Sequence, residues 1–325
     1  MQLGLFLNTQ WRDTERVSVP DLIAQTQAAR DAGYASLWLP HHYLVRPMQM
    51  LQPMPLLGRL IPESGRMTLG MDILLLPLLN PVAVAEEWAT LDVLSEGRAV
   101  LGVGLGYRPE EFTAFGVPIA ERAARTAESI QLIRRLWRED TVDFAGKFYR
   151  VETAGLSLRP VQAGGIPIWL AAQVDQALRR AARLADGWLI VPSSTLDTVA
   201  AQVATFRAAR REAGKPDGAG SMALTRECYI GSTHQGAFDE CRDALEWKYG
   251  AYASWGLEKA ETQKQSFEEF ARDKFIIGDR SSVRDEIARY REALGIDHLI
   301  IRPHWPGLPN ERAVGTIRAL GDICS

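Results

Sequence analysis

The chain has 325 residues, 46% of them hydrophobic, enough to bury a large core as one α/β barrel or as two smaller domains. Its net charge is −3 with no basic block, which argues against nucleic acid or an anionic membrane as partner. The longest apolar stretch, Ile73 to Leu79, contains Pro77 and is too short to span a bilayer, and the start MQLGLFLNTQWRDTE has no basic head or cleavage site. Cys228, Cys241 and Cys324 are odd in number and lack CxxC spacing, so reduced thiols in a cytoplasmic protein are expected.

In chain order, short β-rich runs alternate with helical patterns. LGLFL (3–7) reads as a strand and the segment from Val19 to Gly33 as a helix, with Pro20 in its first turn and Leu22, Thr26 and Ala29 on one face. SLWLP (36–40) and MTLGMDILLL (67–76) read as the second and third strands, and Pro81 to Gly97 as a helix. RAVLGVG (98–104) is a fourth strand, followed by a long amphipathic helix from Ala120 to Trp137. IPIWLAA (166–172) is a fifth, followed by a helix from Asp175; DGWLIVP (186–192) is a sixth, followed by a helix from Leu196 to Ala213. MALTRECYI (222–230) and DHLIIRP (297–303) complete a set of eight.

These strands are continuously apolar rather than alternating, the pattern of parallel strands buried on both faces. They predict an α/β fold, a (β/α)8 TIM barrel formed as a single domain over 1–325; a doubly wound sheet is the rival. Two insertions interrupt the repeat: RPMQMLQPMPLLGRLIPESG after strand two, and residues 239–274 before strand eight, a candidate lid over the carboxyl rim.

Strand ends are where a barrel keeps its chemistry. Strand two ends in His41-His42, strand three in LLNP with Asn80, strand four in GVGLGYRPEEF, strand five in AAQVD and strand eight in RPHWPG. Adjacent histidines cannot both point inward along a strand, so a metal centre is not expected. GVGLG fails the GxGxxG template on both registers, because Tyr107 and Pro109 stand where glycine is required. No G-x-S-x-G elbow or P-loop occurs. Glycine at a strand end suits close approach of a flat ring, and the whole rim suits a planar redox cofactor. Glu86, Glu87, Glu110 and Glu111 read as a helix face and a loop cluster without chemistry.

The run from LGMDILLLPLLNP to GYRPEEFTAFGV resembles the signature of the bacterial luciferase-like, flavin-dependent monooxygenases, as do LGLFL, LWLPHHY, the PIWLAA…AARLADGW pair and FIIGDRSSVRDEI…GIDHLIIR. The resemblance runs in order along nearly the whole chain. It implies a TIM barrel holding reduced FMN, or in one branch the deazaflavin F420, at the carboxyl rim. His41 matches the family histidine that does acid–base chemistry near the flavin; a strand-end ring bonded to backbone is the alternative. The resemblance implies cofactor contacts at Asp72, where many relatives have a non-proline cis peptide, and at Asn80, whose alternative is a helix cap. On this resemblance Gly104 lies beside the ring, Arg122 and the turn Ala172, Gln173 and Val174 lie near the phosphate, and Tyr107 with Arg108 compensates for a phosphate-contacting arginine that luciferase has and this chain lacks. His42, His304 and Trp305 are assigned to the substrate side, with packing as their alternative. Gly104 and Leu105 replace a cysteine and an arginine of luciferase, and Gln173 replaces a family serine or glutamate, so light emission is not expected. The implied activity is oxygenation of a small organic substrate with O2. Reduced FMN would come from a transient NAD(P)H:flavin reductase, and the chain would be a homodimer. Hydride transfer by a deazaflavin and passive flavin binding are the alternatives.

Overall fold

Runs such as Leu37-Trp38-Leu39 and Leu299-Ile300-Ile301 have no polar face to turn to water, so each strand is stable only between neighbours on both edges and helices behind. In the computed structural model, which describes residues 1–216, 220–256 and 266–324, eight such strands satisfy one another by closing. They are β1 (Gln2–Phe6), β2 (Ser36–Leu39), β3 (Thr68–Met71), β4 (Ala99–Gly104), β5 (Ile168–Ala172), β6 (Gly187–Ile190), β7 (Ser221–Ile230) and β8 (His298–Arg302). Each is parallel to the next, β8 returns to β1, and β4 pairs β5 through Ile168 opposite Leu101. The result is the closed (β/α)8 barrel predicted from the strand pattern.

The barrel interior is filled by Phe6, Trp38, Val100, Trp169, Leu189, Ala223 and Ile300, with the Trp38 and Trp169 rings 5.2 Å apart. The lower barrel is therefore a packed plug, and in such barrels ligands bind at the carboxyl end. The outward faces of the strands join the helix faces in the larger core, which includes Leu22, Trp88, Ile133, Phe206 and Ile287.

Three local features depart from the sequence reading. The third strand breaks after Met71: Asp72–Ile73 is a cis peptide, Leu74–Leu75 pairs with the end of β4, and Leu76–Leu78 forms a 3-10 turn. A hairpin, Val142–Ala145 with Arg150–Ala154, was missed because its side chains are mostly exposed and give no apolar period. The insertion before strand eight starts earlier than residue 239: the helix His234–Ser254 crosses the carboxyl rim, then come a short helix (Phe267–Ala271) and the strand Phe275–Gly278, which extends β7. The helix Arg280–Leu294 then packs against neighbouring helices in the outer layer. Residues 257–265 of that insertion lie outside the described residues.

The insertion after β2 contributes Met48–Met50, which pairs antiparallel with Gln10–Arg12, and the helix Pro53–Leu60. Both insertions thus rise around the same end of the barrel. No helix among the described residues is long and apolar enough to cross a membrane.

Candidate active site

Above the plug, the mouth has a polar floor. Asp72 is half-buried and accepts the Thr225 hydroxyl of β7 at 2.5 Å. Its removal from water raises its carboxyl above the usual range, against the Thr225 bond and the nearby Arg302 charge. Arg302, at the end of β8, lies with its guanidinium 3.7 Å from the Phe6 ring centroid, and its Nε is buried with no partner among the described residues.

Beside this floor is a buried charge cluster that sequence reasoning did not find. Glu227 of β7 accepts from Lys248 (2.6 Å), Tyr249 (2.9 Å) and Arg302 (3.1 Å) at Oε1, and from the Trp305 indole N–H at Oε2. Burial alone would raise this carboxyl, but the Lys248 and Arg302 charges and these donors outweigh it and hold Glu227 ionised. Burial and the competing Arg302 charge pull Lys248 down to about 7. Lys248 and Tyr249 belong to the helix His234–Ser254, so the cluster anchors that helix on the barrel. Tyr252 adds a bond to Gln10 Oε1 at 3.0 Å and Trp255 one to the Arg46 carbonyl at 3.1 Å.

The two histidines separate. His41 is 4% exposed; its Nδ1 accepts the Leu75 N–H at 3.2 Å, and its ring meets the edge of Tyr43 at 4.5 Å. Burial, then the neighbouring His42, lowers it to about 4, so the ring stays neutral. It is not turned to bulk solvent. His42 lies on the rim, partly exposed, with Tyr107 and Trp255 rings at 5.8 and 6.0 Å and Nδ1 3.0 Å from Glu111. Glu111, read from the sequence as part of an inert loop cluster, is fully buried. An aromatic and thioether group surrounds this rim: Val45, Met48, Met50, Trp247, Tyr252 and Trp255.

Other expected residues are placed as follows. Asn80 is exposed, and its Oδ1 accepts the Val82 N–H at 2.9 Å, capping the helix that begins at Pro81. Gly104 is needed because a Cβ there would come within 2.3 Å of the Ile73 side chain. Trp305 is fully buried on Glu227, and His304 is buried with Nε2 bonded to the Leu308 carbonyl at 2.9 Å. The protein's own groups thus hold both side chains at the end of β8. Tyr107 is half-buried on the rim, its phenol raised by burial.

Ala172, Gln173 and Val174 form the turn into the helix Asp175–Leu184, the Gln173 carbonyl being held by Gln202 at 2.6 Å. Farther along that helix are Arg180, at its middle, and Arg183, in its last turn, and the Arg180 guanidinium feels the charges of Arg183 and Arg122. Burial, then Arg183 and Arg122, lowers the Arg180 guanidinium, and its Nε is buried without a partner among the described residues. No carboxylate is paired with any of the three among the described residues. Sequence reading found only Arg122, since Arg180 looks like an ordinary helix arginine.

Eight parallel strands closed into a barrel, with a polar floor and an aromatic rim at the carboxyl end, define the architectural class of the chain. The chain belongs to the luciferase-like monooxygenase family, whose profile matches residues 1–298. It is 26% identical over 318 residues to the F420-dependent glucose-6-phosphate dehydrogenase of Amycolatopsis mediterranei, covering 92% of each chain. It is 27% identical over 299 residues to the 4-hydroxyprotoasukamycin monooxygenase of Streptomyces nodosus subsp. asukaensis, covering 88% of this chain and 78% of that one. The crystal structure of monooxygenase RslO1 from Streptomyces bottropensis superposes with a TM-score of 0.85 at 24% identity, over 100% of this chain and 98% of the other, and carries the same fold. Relatives of this chain are thus oxidoreductases of both deazaflavin and monooxygenase types.

Proposed function

We propose that the chain is an FMN-dependent monooxygenase of the two-component type, acting in the cytoplasm as a homodimer on a small, largely apolar organic substrate. Reduced FMN would come from a separate NAD(P)H:flavin reductase. The observation that carries this reading is the floor of the mouth: a half-buried Asp72 with one hydroxyl donor, beside Arg302, under an apolar aromatic rim. When bound, the reduced flavin supplies the electrons that activate O2.

The protein's own residues do the rest. Asp72 presents an acceptor, or when protonated a donor, to the polar edge of the ring. Arg122 and Arg180 would hold the phosphate, with the backbone of the turn Ala172–Val174. Trp255, Tyr107, Met48 and Met50 keep water from the reacting face, which strengthens every polar contact inside. His41 stays neutral and fixes the backbone where β3 breaks.

A second reading, hydride transfer by a deazaflavin, is favoured by the full-length likeness to F420-dependent dehydrogenases and by Arg122 and Arg180, which no described carboxylate pairs. Anaerobic fluorescence titration with reduced FMN and with the deazaflavin separates the two. Binding of reduced FMN, followed under 18O2 by one labelled atom in the product, is the expected result. Binding of the deazaflavin alone would overturn the monooxygenase reading in favour of the second. Arg180→Ala should weaken whichever phosphate-bearing cofactor binds by about tenfold or more, the worth of a charged hydrogen bond.

A further inference from the structure

Arg302 is a buried guanidinium that the protein leaves largely unpaired. Along β8, Ile300 points into the barrel interior while Leu299 and Ile301 pack outward against the helices. Alternation therefore turns Arg302 inward, one layer above Ile300. Its guanidinium lies 3.7 Å from the centroid of Phe6, a ring of the interior plug, so it rests on top of that plug. The residue is only 7% exposed.

A guanidinium has five N–H donors. Among the described residues Arg302 spends one, from Nη1 to Glu227 Oε1 at 3.1 Å, and it shares that oxygen with Lys248 and Tyr249. Nε is buried with no acceptor, and Nη2 donates to no described residue. Asp72, whose charge reaches Arg302, gives its own bond to Thr225. Arg226, on the outer face of β7, is a structural arginine for comparison. Its Nε meets the Tyr290 hydroxyl, and its Nη1 and Nη2 meet the carbonyls of Pro192, Thr225 and Ser194. A donor left unmet in dry surroundings destabilises the fold, so the free edge of Arg302 is kept for an acceptor that arrives with a ligand.

The place of that edge in the barrel bears on which ligand it is. The phosphate elements of the proposed function, Arg122, Arg180 and the turn Ala172–Val174, follow β4 and β5, and β8 stands across the closed ring from β4. Arg302 thus belongs to the other half of the mouth, beneath the helix His234–Ser254, whose Lys248 and Tyr249 share its carboxylate.

We propose that Arg302 is a specificity-determining residue, and that the substrate is a largely apolar molecule bearing a carbonyl or carboxylate oxygen that accepts from its Nε–Nη2 edge. This rests on the proposed function only in giving the opposite half of the mouth to the flavin. A guanidinium cannot accept, so it favours acceptor oxygens; a carboxylate can take two parallel N–H groups and a ketone one. A hydrocarbon of the same shape would leave the edge unmet, which is how a site built around one polar contact rejects an analogue lacking it. Stacking on Phe6 and the Glu227 bond fix the guanidinium plane, and so fix which end of the substrate is held.

Benzoate and toluene share a ring and differ in the acceptor. Calorimetric titration of the flavin-free protein with each should show benzoate bound about tenfold or more tightly than toluene, the scale of a hydrogen bond to a charged group. Arg302→Met should abolish that preference. Arg302→Lys keeps a charge beside Glu227 without the fork, and should recover only part of it. If Arg302→Met does not fold, Arg302→Lys decides. Equal binding of the two probes by the wild type, or a preference unchanged in the variants, would show that the edge is met by water alone and overturns the proposal. FMN affinity should change less than about twofold in Arg302→Lys, under about 0.4 kcal/mol. A fall in FMN affinity as large as the loss for benzoate would give Arg302 to the cofactor and overturn the substrate assignment. A benzoate preference that depends on Arg302 in a protein unable to bind FMN would sink the flavin reading and leave this one standing.

Discussion

Burying His41 as a neutral ring has a thermodynamic consequence that a single substitution exposes. In the unfolded chain the ring titrates near 6.5, whereas in the folded protein burial and His42 move it to about 4. Between those values the unfolded state binds a proton that the folded state refuses, so stability falls as pH falls. The contribution is fully present above about pH 6.5 and is lost by about pH 4. At about 1.4 kcal/mol per pH unit this amounts to about 3 kcal/mol. His41→Asn keeps an acceptor for the Leu75 N–H and removes the titration. The smaller side chain costs a constant amount at every pH, so the slope carries the information. Urea unfolding of both proteins at several pH values from 7.5 to 4 should show the wild type losing about 3 kcal/mol more than the variant. Parallel curves would mean that His41 titrates as in water, and the buried neutral ring described above would be wrong.

The charge cluster under the rim gives a second expectation. Glu227→Gln leaves Lys248 and Arg302 buried without their counter-charge and should cost about 3–5 kcal/mol in urea unfolding, partly restored by adding Lys248→Met. Full stability of Glu227→Gln alone would show that the helix His234–Ser254 is not anchored there. In β4, Gly102→Ala puts a methyl 1.8 Å from the Met71 carbonyl oxygen, a backbone atom of the neighbouring strand that cannot swing away. It should lose about 3 kcal/mol or more, or fail to fold. Gly58→Ala, in the helix Pro53–Leu60 with nothing within 4 Å, should gain about 0.5–1 kcal/mol, and a melting temperature that moves the other way would refute the reading of that helix.

Which parts of this were legible in the chain follows from the range of the forces involved. The eight barrel strands could be read because a parallel strand buried on both faces must be apolar throughout, and Leu37–Leu39 or Leu299–Ile301 advertise that locally. Helix starts such as Asn80-Pro81 were equally local, which is why the cap there is better supported than the ligand contact. The family resemblance was likewise carried by short motifs such as LWLPHHY. What it could not show was which ring of His41-His42 is buried against backbone and which stands on the rim. That depends on Leu75, which is 34 residues from His41 in sequence, and on Glu111, which is 69 from His42.

The charged residues were the least legible. Glu111, Glu227, Lys248 and Arg302 have the same composition and spacing as solvated surface residues, and nothing nearby in sequence marks them as buried. Only closure of the barrel, with the helix His234–Ser254 laid across its mouth, brings Glu227 to Lys248 and Arg302, and only the turn at Pro109–Ala114 brings Glu111 under the β2 loop. Local apolar pattern determined the architecture, because the hydrophobic effect acts on each segment as it stands. The polar site was decided by the tertiary structure, because the strength of a charge depends on which distant groups share its dry surroundings.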